Sequence, residues 1–205
     1  MDYETLASAE IVNKTIGSLT ARGIAAILVN NRTEALEKVK AFIPQGASVM
    51  NGSSRTLEEI GFIDYLKSGA HGWRNLHEEI LAEKDSAKQT MLRKQGVLSD
   101  YYLGSVHAVA ETGEMVIASN SGSQLPHIVF TSPNLIFVVG TQKITPHLDA
   151  AFARVREYVL PLEDRRMKDA GYSGSAISKL LIFEREPDFM GRKVHLIFVN
   201  EKLGF

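Results

Sequence analysis

The sequence has 205 residues, a formal net charge of −1, 44% hydrophobic residues and no cysteine. This length suffices for one domain with a buried core, and the balanced charge does not favour a nucleic acid or a membrane surface as partner. The absence of cysteine excludes disulfides, thiolate zinc sites, cysteine nucleophiles and a cysteine-ligated iron–sulfur cluster within this chain, and the sequence identifies no other cofactor.

The segment MDYETLASAE at the N-terminus has neither the basic nor the apolar region of a signal peptide. No run of residues approaches the roughly 18 consecutive apolar residues that a membrane span needs. We therefore expect a cytoplasmic protein.

The first half of the chain alternates predicted helices with short apolar strands. Near-helical spacing of apolar residues predicts an N-terminal helix within residues 1–23, with Asp2 as its cap. The apolar run 24–29 predicts a strand, and a second helix is expected from Thr33 to the residue before Pro44. Residues 47–50 predict another strand, followed by a glycine–serine turn and a short helix near 55–60. A longer, highly charged helix is predicted for residues 76–94.

The second half adds more strands and one long amphipathic helix. Residues 106–110 and 115–118, separated by four residues that include a glycine, predict either a tight hairpin or a strand interrupted by a bulge. Residues 134–139 are an apolar strand, and Pro146 is expected to open a helix. Residues 180–183 and 194–199 predict two closing strands that would add antiparallel members. The sequence thus predicts one α/β domain over residues 1–205, with a mainly parallel sheet flanked by helices and residues 1–23 as a helical extension.

Two polar loops and one lysine are the candidate ligand-binding groups, because ligands of parallel sheets usually bind at the carboxyl ends of strands. Backbone N–H groups and hydroxyls of residues 51–54 could hold a phosphate, a carboxylate or the pyrophosphate of CoA, although the same residues could simply cap a helix. Lys143 could neutralise an anionic ligand; its alternative is an ordinary surface lysine. The candidate ligand-binding residues are Asn51, Gly52, Ser53, Ser54, Thr112, Gly113, Ser121, Gly122 and Lys143.

Glu111 is the candidate catalytic residue, because it follows a strand and stands close to a glycine. Such a carboxylate could act as a general base or as a nucleophile that captures an acyl group, whereas the alternative is an exposed hairpin glutamate. The six histidines do not fall at the short spacings of a zinc site, so no metal site is predicted, and only His127 merits a test. No phosphate-binding Walker loop, dinucleotide-binding glycine motif or serine-hydrolase elbow is present.

The order of several short motifs resembles the LUD-domain family of lactate-utilisation proteins over roughly residues 20–205. The motifs include Ala110-Glu111-Thr112-Gly113, Ser121-Gly122, the strand 135–140, Lys143-Ile144, the helix after it with Ala153-Arg154-Val155-Arg156, and Leu203-Gly204-Phe205. The resemblance implies a fold similar to sugar-phosphate isomerases, glucosamine-phosphate deaminases and CoA transferases. It also implies a role connected with the oxidation of L-lactate to pyruvate, with other lactate-utilisation subunits as partners. The resemblance does not imply a particular catalytic mechanism.

The chain departs from this family at two places. Gly122-Ser123-Gln124 stands where many relatives carry Gly-Asn-Arg, and residues 172–178 lack the cysteines that some relatives carry. We therefore expect a protein that binds a small anionic ligand (a carboxylate, a CoA thioester or a sugar phosphate) in a cleft at strand carboxyl ends, with a non-catalytic ligand-sensing or assembly subunit as the alternative. The sequence does not decide whether the protein is an enzyme. The protein could form a homo-oligomer, but no feature of the sequence indicates the number of subunits.

Overall fold

The computed structural model describes residues 2–205, which form eight α-helices and ten β-strands. The helices are α1 (Ala9–Thr20), α2 (Arg32–Phe42), α3 (Arg55–Glu59), α4 (Phe62–Ser68), α5 (Leu76–Ala82), α6 (Ser86–Gln95), α7 (Leu148–Arg154) and α8 (Leu160–Asp169). The strands are β1 (Ala25–Val29), β2 (Ser48–Asn51), β3 (Arg74–Asn75), β4 (Tyr101–Gly104), β5 (Ala108–Ala110), β6 (Met115–Ser119), β7 (Asn134–Gly140), β8 (Ile144–Thr145), β9 (Lys179–Phe183) and β10 (Lys193–Val199).

Six strands form a fully parallel sheet in the order β1-β10-β7-β4-β2-β3. β10 lies between β1 and β7, so Ala25 is opposite His195 on one side and Asn134 is opposite Lys193 on the other. β7 is apolar along nearly its whole length because both of its faces are covered. The α/β class with a mainly parallel sheet is therefore confirmed.

The other four strands form a smaller sheet in the order β8-β5-β6-β9. β5 and β6 are the predicted antiparallel hairpin, and β9 adds antiparallel to the far side of β6. The two closing strands expected near the C-terminus do not pair with each other. Only β9 is antiparallel to its neighbour, whereas β10 enters the large sheet in parallel, because the segment between them crosses from one layer to the other.

The core consists of two apolar layers on opposite faces of the large sheet. Leu135, Phe137 and Val139 of β7 pack toward α1 and the small sheet. The alternate residues Ile136 and Val138 pack toward α2, α3 and α4, as the period of two along a strand requires. α7 covers the outer face of the small sheet. The small sheet is thus held between the large sheet and a helix.

Three helix boundaries differ from the predicted ones, each for a capping reason. α1 begins at Ala9 because the Ser8 hydroxyl accepts a hydrogen bond from the Ile11 amide, so Asp2 is not its cap. The helix predicted over 76–94 is two helices, since Asp85 caps a new helix at Ser86. Pro146 lies before the start of α7, whose cap is His147.

A π-helical turn joins α7 to α8. Residues Val155–Val159 form this turn within one continuous helical segment. A π turn inserts one extra residue into a helix, and such turns are frequent at functional sites. Val155 and Val159 of this turn both lie on the wall of the cleft described below. None of the helices formed by residues 2–205 combines the length and the apolar character needed to cross a membrane.

Candidate ligand-binding cleft

A cleft of about 710 Å³ lies at the carboxyl ends of three neighbouring strands of the large sheet. The residues that follow β2 (52–56), those that follow β4 (105–107) and Lys143 after β7 form its inner wall. The loop after β6 and the helical segment 155–167 form the opposite wall. This is the edge at which parallel α/β sheets usually bind ligands.

Lys143 is the buried positive charge of this cleft, with only 3% of its surface exposed. Its Nζ donates hydrogen bonds to Thr56 Oγ1 (3.1 Å), Ser105 Oγ (3.2 Å) and the Val106 carbonyl (3.4 Å). Among residues 2–205 no carboxylate oxygen lies within 4.0 Å of Nζ. All three acceptors are neutral oxygens, so the charge of Lys143 is solvated by the protein but is not neutralised by it.

The environment disfavours the charged form of Lys143. Burial lowers the pKa of Lys143 to about 7, the nearby Arg154 guanidinium lowers it as well, and Glu59 acts in the opposite direction. Burial also lowers the pKa of the half-buried His107, with smaller contributions from Lys143 and Arg154. His107 is therefore neutral at pH 7, and its Nδ1 accepts a hydrogen bond from the Ala118 amide.

Arg154 supplies part of the positive field behind the cleft. Its side chain is fully buried, and Nη1 donates to the His107 carbonyl at 2.5 Å. Within the described part of the chain, Nε and Nη2 have no hydrogen-bond partner. The guanidinium carbon lies 5.2 Å from the ring centroid of Tyr158, within the range of a cation–π contact. A buried guanidinium without a carboxylate keeps the adjoining wall electropositive.

Gly52 allows the chain after β2 to pass over the hydroxyl of Tyr102. A Cβ at this position would stand 2.5 Å from Tyr102 Oη and 3.3 Å from Gln124 Oε1. Gln124 lies on the cleft wall and donates from Nε2 to the Ala118 carbonyl. The cleft is therefore lined here by neutral amide and hydroxyl groups, and its buried cation comes from Lys143.

Five of the nine predicted ligand-binding residues lie on the cleft wall: Gly52, Ser53, Ser54, Ser121 and Lys143. Ser54 caps α3, since its hydroxyl accepts from the Leu57 amide, and the ligand-binding role considered for this loop stays a prediction. Asn51 is buried at the end of β2, and Gly122 lies beside the wall with a φ of 86°.

Glu111, Thr112 and Gly113 lie away from the cleft, at the tip of the hairpin between β5 and β6. The Glu111 carboxylate receives a hydrogen bond of 2.8 Å from Lys14 Nζ, so it forms an ion pair with α1. Arg22 donates from Nε to the Thr112 carbonyl. The hairpin turn therefore packs on α1 and its C-terminal end, and the catalytic role of Glu111 stays a prediction.

The rim of the cleft carries three arginines. Arg55 pairs with Glu58 and Glu59 on the surface of α3. Arg166 pairs with Glu163, which also lies on the wall. Arg93 is exposed, and no carboxylate of residues 2–205 is within salt-bridge distance of it. Arg93 is thus a second cation available to a ligand that reaches the rim.

The sequence reasoning missed Thr56, Ser105, His107 and Arg154. Ser105 and His107 follow β4, whose residues Tyr101–Gly104 were not recognised as a strand because the run is short. With β4 in place, the rule that ligands bind after parallel strands would have included Ser105. This rule does not identify Thr56 or Arg154, because both lie within helices, where threonine and arginine are ordinary residues.

The described residues offer no candidate metal site. Residues 2–205 contain no cluster of three or more His, Cys, Asp or Glu side chains suited to a metal ion. His127 lies in the core, where its Nδ1 is hydrogen-bonded to Ser99 and Ser132 and its ring stacks on Tyr102 at 4.5 Å between centroids. His127 is therefore a satisfied core histidine and does not line the cleft.

The comparisons with known proteins identify the family. The sequence profile of the LUD domain matches residues 12–178, most of the chain. The chain belongs to the LUD-domain family. Among solved structures, this LUD-domain protein is similar to the crystal structure of a DUF162 family protein from Deinococcus radiodurans, with a TM-score of 0.57 and 14% identity over 96% of this chain and 100% of that one. At this identity the likeness concerns the fold alone. No curated protein matches the sequence.

Proposed function

We propose that this LUD-domain protein binds a small anionic ligand, such as a carboxylate, a CoA thioester or a sugar phosphate, in the cleft at the carboxyl ends of β2, β4 and β7. We further propose that it does so as a subunit of an L-lactate oxidation system. The observation that carries the binding proposal is Lys143, a buried cation on the cleft wall with only neutral oxygens around it. An anion bound in the cleft would supply the missing counter-charge.

The lining supports an anion over a cation or an apolar ligand. Ser53, Ser54, Ser121 and Ser123 line this space together with Lys143. Glu163 is the acidic residue of the lining, and Arg166 holds its carboxylate. Hydroxyls and a lysine are the donors that carboxylate and phosphate groups require.

The size of the cleft bears on the ligand class. Its volume of about 710 Å³ falls within the range of sites that bind whole cofactors or drug-sized molecules, roughly 300–1,000 Å³. A lone lactate would fill only a small part of it. The size therefore favours a CoA thioester or a sugar phosphate, with Lys143 contacting the inner end and Arg93 near the rim.

A non-catalytic sensing or assembly subunit is the second candidate. Two observations favour it: Gln124 is neutral where many relatives carry arginine, and Glu111 lies outside the cleft on the α1 side. Ligand binding alone would need neither group.

A thermal-shift screen of lactate, pyruvate, CoA, acetyl-CoA and glucose 6-phosphate tests the binding proposal. At least one of these anions should raise the melting temperature, because a ligand present at 100 times its Kd stabilises the native state by about 2.7 kcal/mol. The Lys143→Met variant should lose most of that shift, whereas Lys38→Met, which removes an exposed charge on α2, should keep it. The proposal is wrong if no anion shifts the wild type, or if Lys143→Met responds as the wild type does.

The role predicted for Glu111 has its own test. If Glu111 is catalytic, Glu111→Gln should abolish turnover of a substrate found by the screen while its affinity stays nearly unchanged. Turnover measured at saturating substrate, with binding measured in parallel by calorimetry, separates the two quantities. Wild-type turnover in this variant would eliminate Glu111 as the catalytic group and leave the binding proposal intact.

A further inference from the structure

We propose that Lys143 is a nucleophile that forms an imine with a ketone or aldehyde group of the bound anion, an inference that rests on the ligand cleft proposed above. The class of ligand is thereby narrowed to anions with a ketone or aldehyde group: phosphorylated ketoses and aldoses, which the size of the cleft favours, or the smaller 2-oxo acids. Binding an anion by electrostatic attraction requires only the positive charge of a lysine. The surroundings of the Lys143 amine would also allow it to form a covalent bond with the ligand.

The first argument is the difference between Lys143 and the paired lysines of the chain. The ammonium groups of Lys14, Lys40, Lys168 and Lys202 each contact a carboxylate at 2.6–2.8 Å. A carboxylate holds a lysine in its charged form, which has no lone pair and cannot attack a carbonyl. Lys143 contacts neutral oxygens alone. Nothing in its immediate contacts prevents it from losing a proton.

The second argument is the charge around the amine. Arg154 is fully buried and lies near enough to disfavour the ammonium form, and burial acts in the same direction. With its pKa lowered from 10.5 to about 7, Lys143 has a neutral amine available at neutral pH, which an exposed lysine lacks. Imine-forming lysines are activated in the same way: desolvation, often together with a neighbouring cation, lowers the pKa of the amine.

The third argument is the pair of hydroxyls beside the amine. Thr56 Oγ1 and Ser105 Oγ lie 3.1 and 3.2 Å from Nζ, within reach of a carbonyl oxygen undergoing attack. Nζ would add to the carbonyl carbon, and its proton would pass to the former carbonyl oxygen through these hydroxyls. The resulting carbinolamine would lose that oxygen as water, forming the C=N bond. One amine and one carbonyl thus yield one imine and one water, with no oxidant or reductant.

The segment at the end of the described chain fixes the amine in place. A Cβ at Gly204 would stand 2.4 Å from Thr56 Oγ1 and 3.2 Å from Lys143 Nζ, so the backbone approaches both groups closely. Gln142 Nε2 donates to the Leu203 carbonyl at 2.8 Å, which holds this segment against the turn that carries Lys143. Backbone therefore closes off one side of the amine, and Lys143 lies on the cleft wall.

Reductive trapping tests this proposal. The protein is incubated at pH 7 with sodium cyanoborohydride and either pyruvate or dihydroxyacetone phosphate, and the products are analysed by intact-mass spectrometry and peptide mapping. We expect one adduct per chain, located on Lys143, with at least one of the two ketones; which ketone reacts separates 2-oxo acids from sugar phosphates. Lactate and glycerol 3-phosphate, which lack the carbonyl, should give none. Trapping should accelerate as the pH rises through about 7.

Two matched variants complete the experiment. Lys143→Arg keeps the charge without a nucleophilic amine and should give no adduct at that site, whereas Lys38→Arg should react as the wild type does. Adducts spread over surface lysines, or an unchanged yield in Lys143→Arg, would overturn the proposal. A ketone that raises the melting temperature without trapping would overturn imine formation and leave anion binding standing. The absence of both effects with either ketone would overturn imine formation, and the absence of a shift with every anion of the screen would overturn anion binding as well.

Discussion

Replacing Lys143 with methionine is expected to stabilise the protein at neutral pH and to remove part of the pH dependence of its stability. The pKa of Lys143 is about 7 in the folded protein and close to the ordinary value of 10.5 in the unfolded chain. Between these values the unfolded state binds more protons than the folded state, so the free energy of unfolding rises with pH. The cost of burying the ammonium is greatest below pH 7 and disappears above pH 10.5.

Urea denaturation of wild type and Lys143→Met at pH 7 and pH 9 measures this effect. Relative to the variant, the wild type should gain about 2 kcal/mol between the two pH values, because each pKa unit corresponds to 1.36 kcal/mol. At pH 7 the variant should be more stable by an amount below the full cost of the charge, since Thr56 and Ser105 lose a hydrogen-bond donor. Lys38→Met should follow the wild-type pH dependence. Parallel curves for wild type and Lys143→Met would contradict a depressed pKa.

Replacing Glu186 with alanine is expected to lower the free energy of unfolding by about 3 kcal/mol. Glu186 Oε2 lies 3.4 Å from Arg192 Nη1, and the two side chains are only 5% and 6% exposed. Removing the carboxylate leaves a buried guanidinium without a counter-charge, which typically costs about 3–5 kcal/mol. We expect the lower end of this range, because Arg192 also donates to the carbonyls of His127, Ile128 and Ser132.

Urea denaturation at pH 7 checks this prediction, with Glu37→Ala as the matched control. Glu37 pairs with Lys40 on the surface of α2, and removing such an exposed pair should change stability by less than about 1 kcal/mol. The double variant Glu186→Ala, Arg192→Met should recover part of the loss, since it removes the uncompensated charge. A loss below about 1 kcal/mol in Glu186→Ala would mean that the pair is solvated in solution.

The sheet was predictable where its strands are apolar on both faces. Residues 134–139 and 24–29 were recognised in this way, and both became neighbours of β10 in the large sheet. β4 was missed because four residues that include two tyrosines and a glycine carry little periodicity. The sheet to which each late strand belongs was not predictable, since β9 and β10 are similar apolar runs and only their packing distinguishes them.

The candidate site was predictable to the extent that it follows strand ends. Gly52, Ser53, Ser54 and Lys143 were named for this reason, and they meet on one wall. Glu111 also follows a strand, but that strand belongs to the small sheet, whose turn faces α1. The properties that single out Lys143 come from burial and from Arg154, and neither can be deduced from the residues beside Lys143 in the sequence.

The central position of β10 has a consequence for how the chain folds during synthesis. β1 is made early, yet the strand it pairs with is β10, near the other end of the chain. Until residues 193–199 leave the ribosome, β1 has no partner and the edge of β7 that β10 will occupy is open. Such long-range pairing slows folding and leaves apolar strand edges exposed to aggregation. Within the large sheet, early pairing is therefore restricted to β2, β3, β4 and β7, the strands whose ends build the cleft and their immediate neighbour.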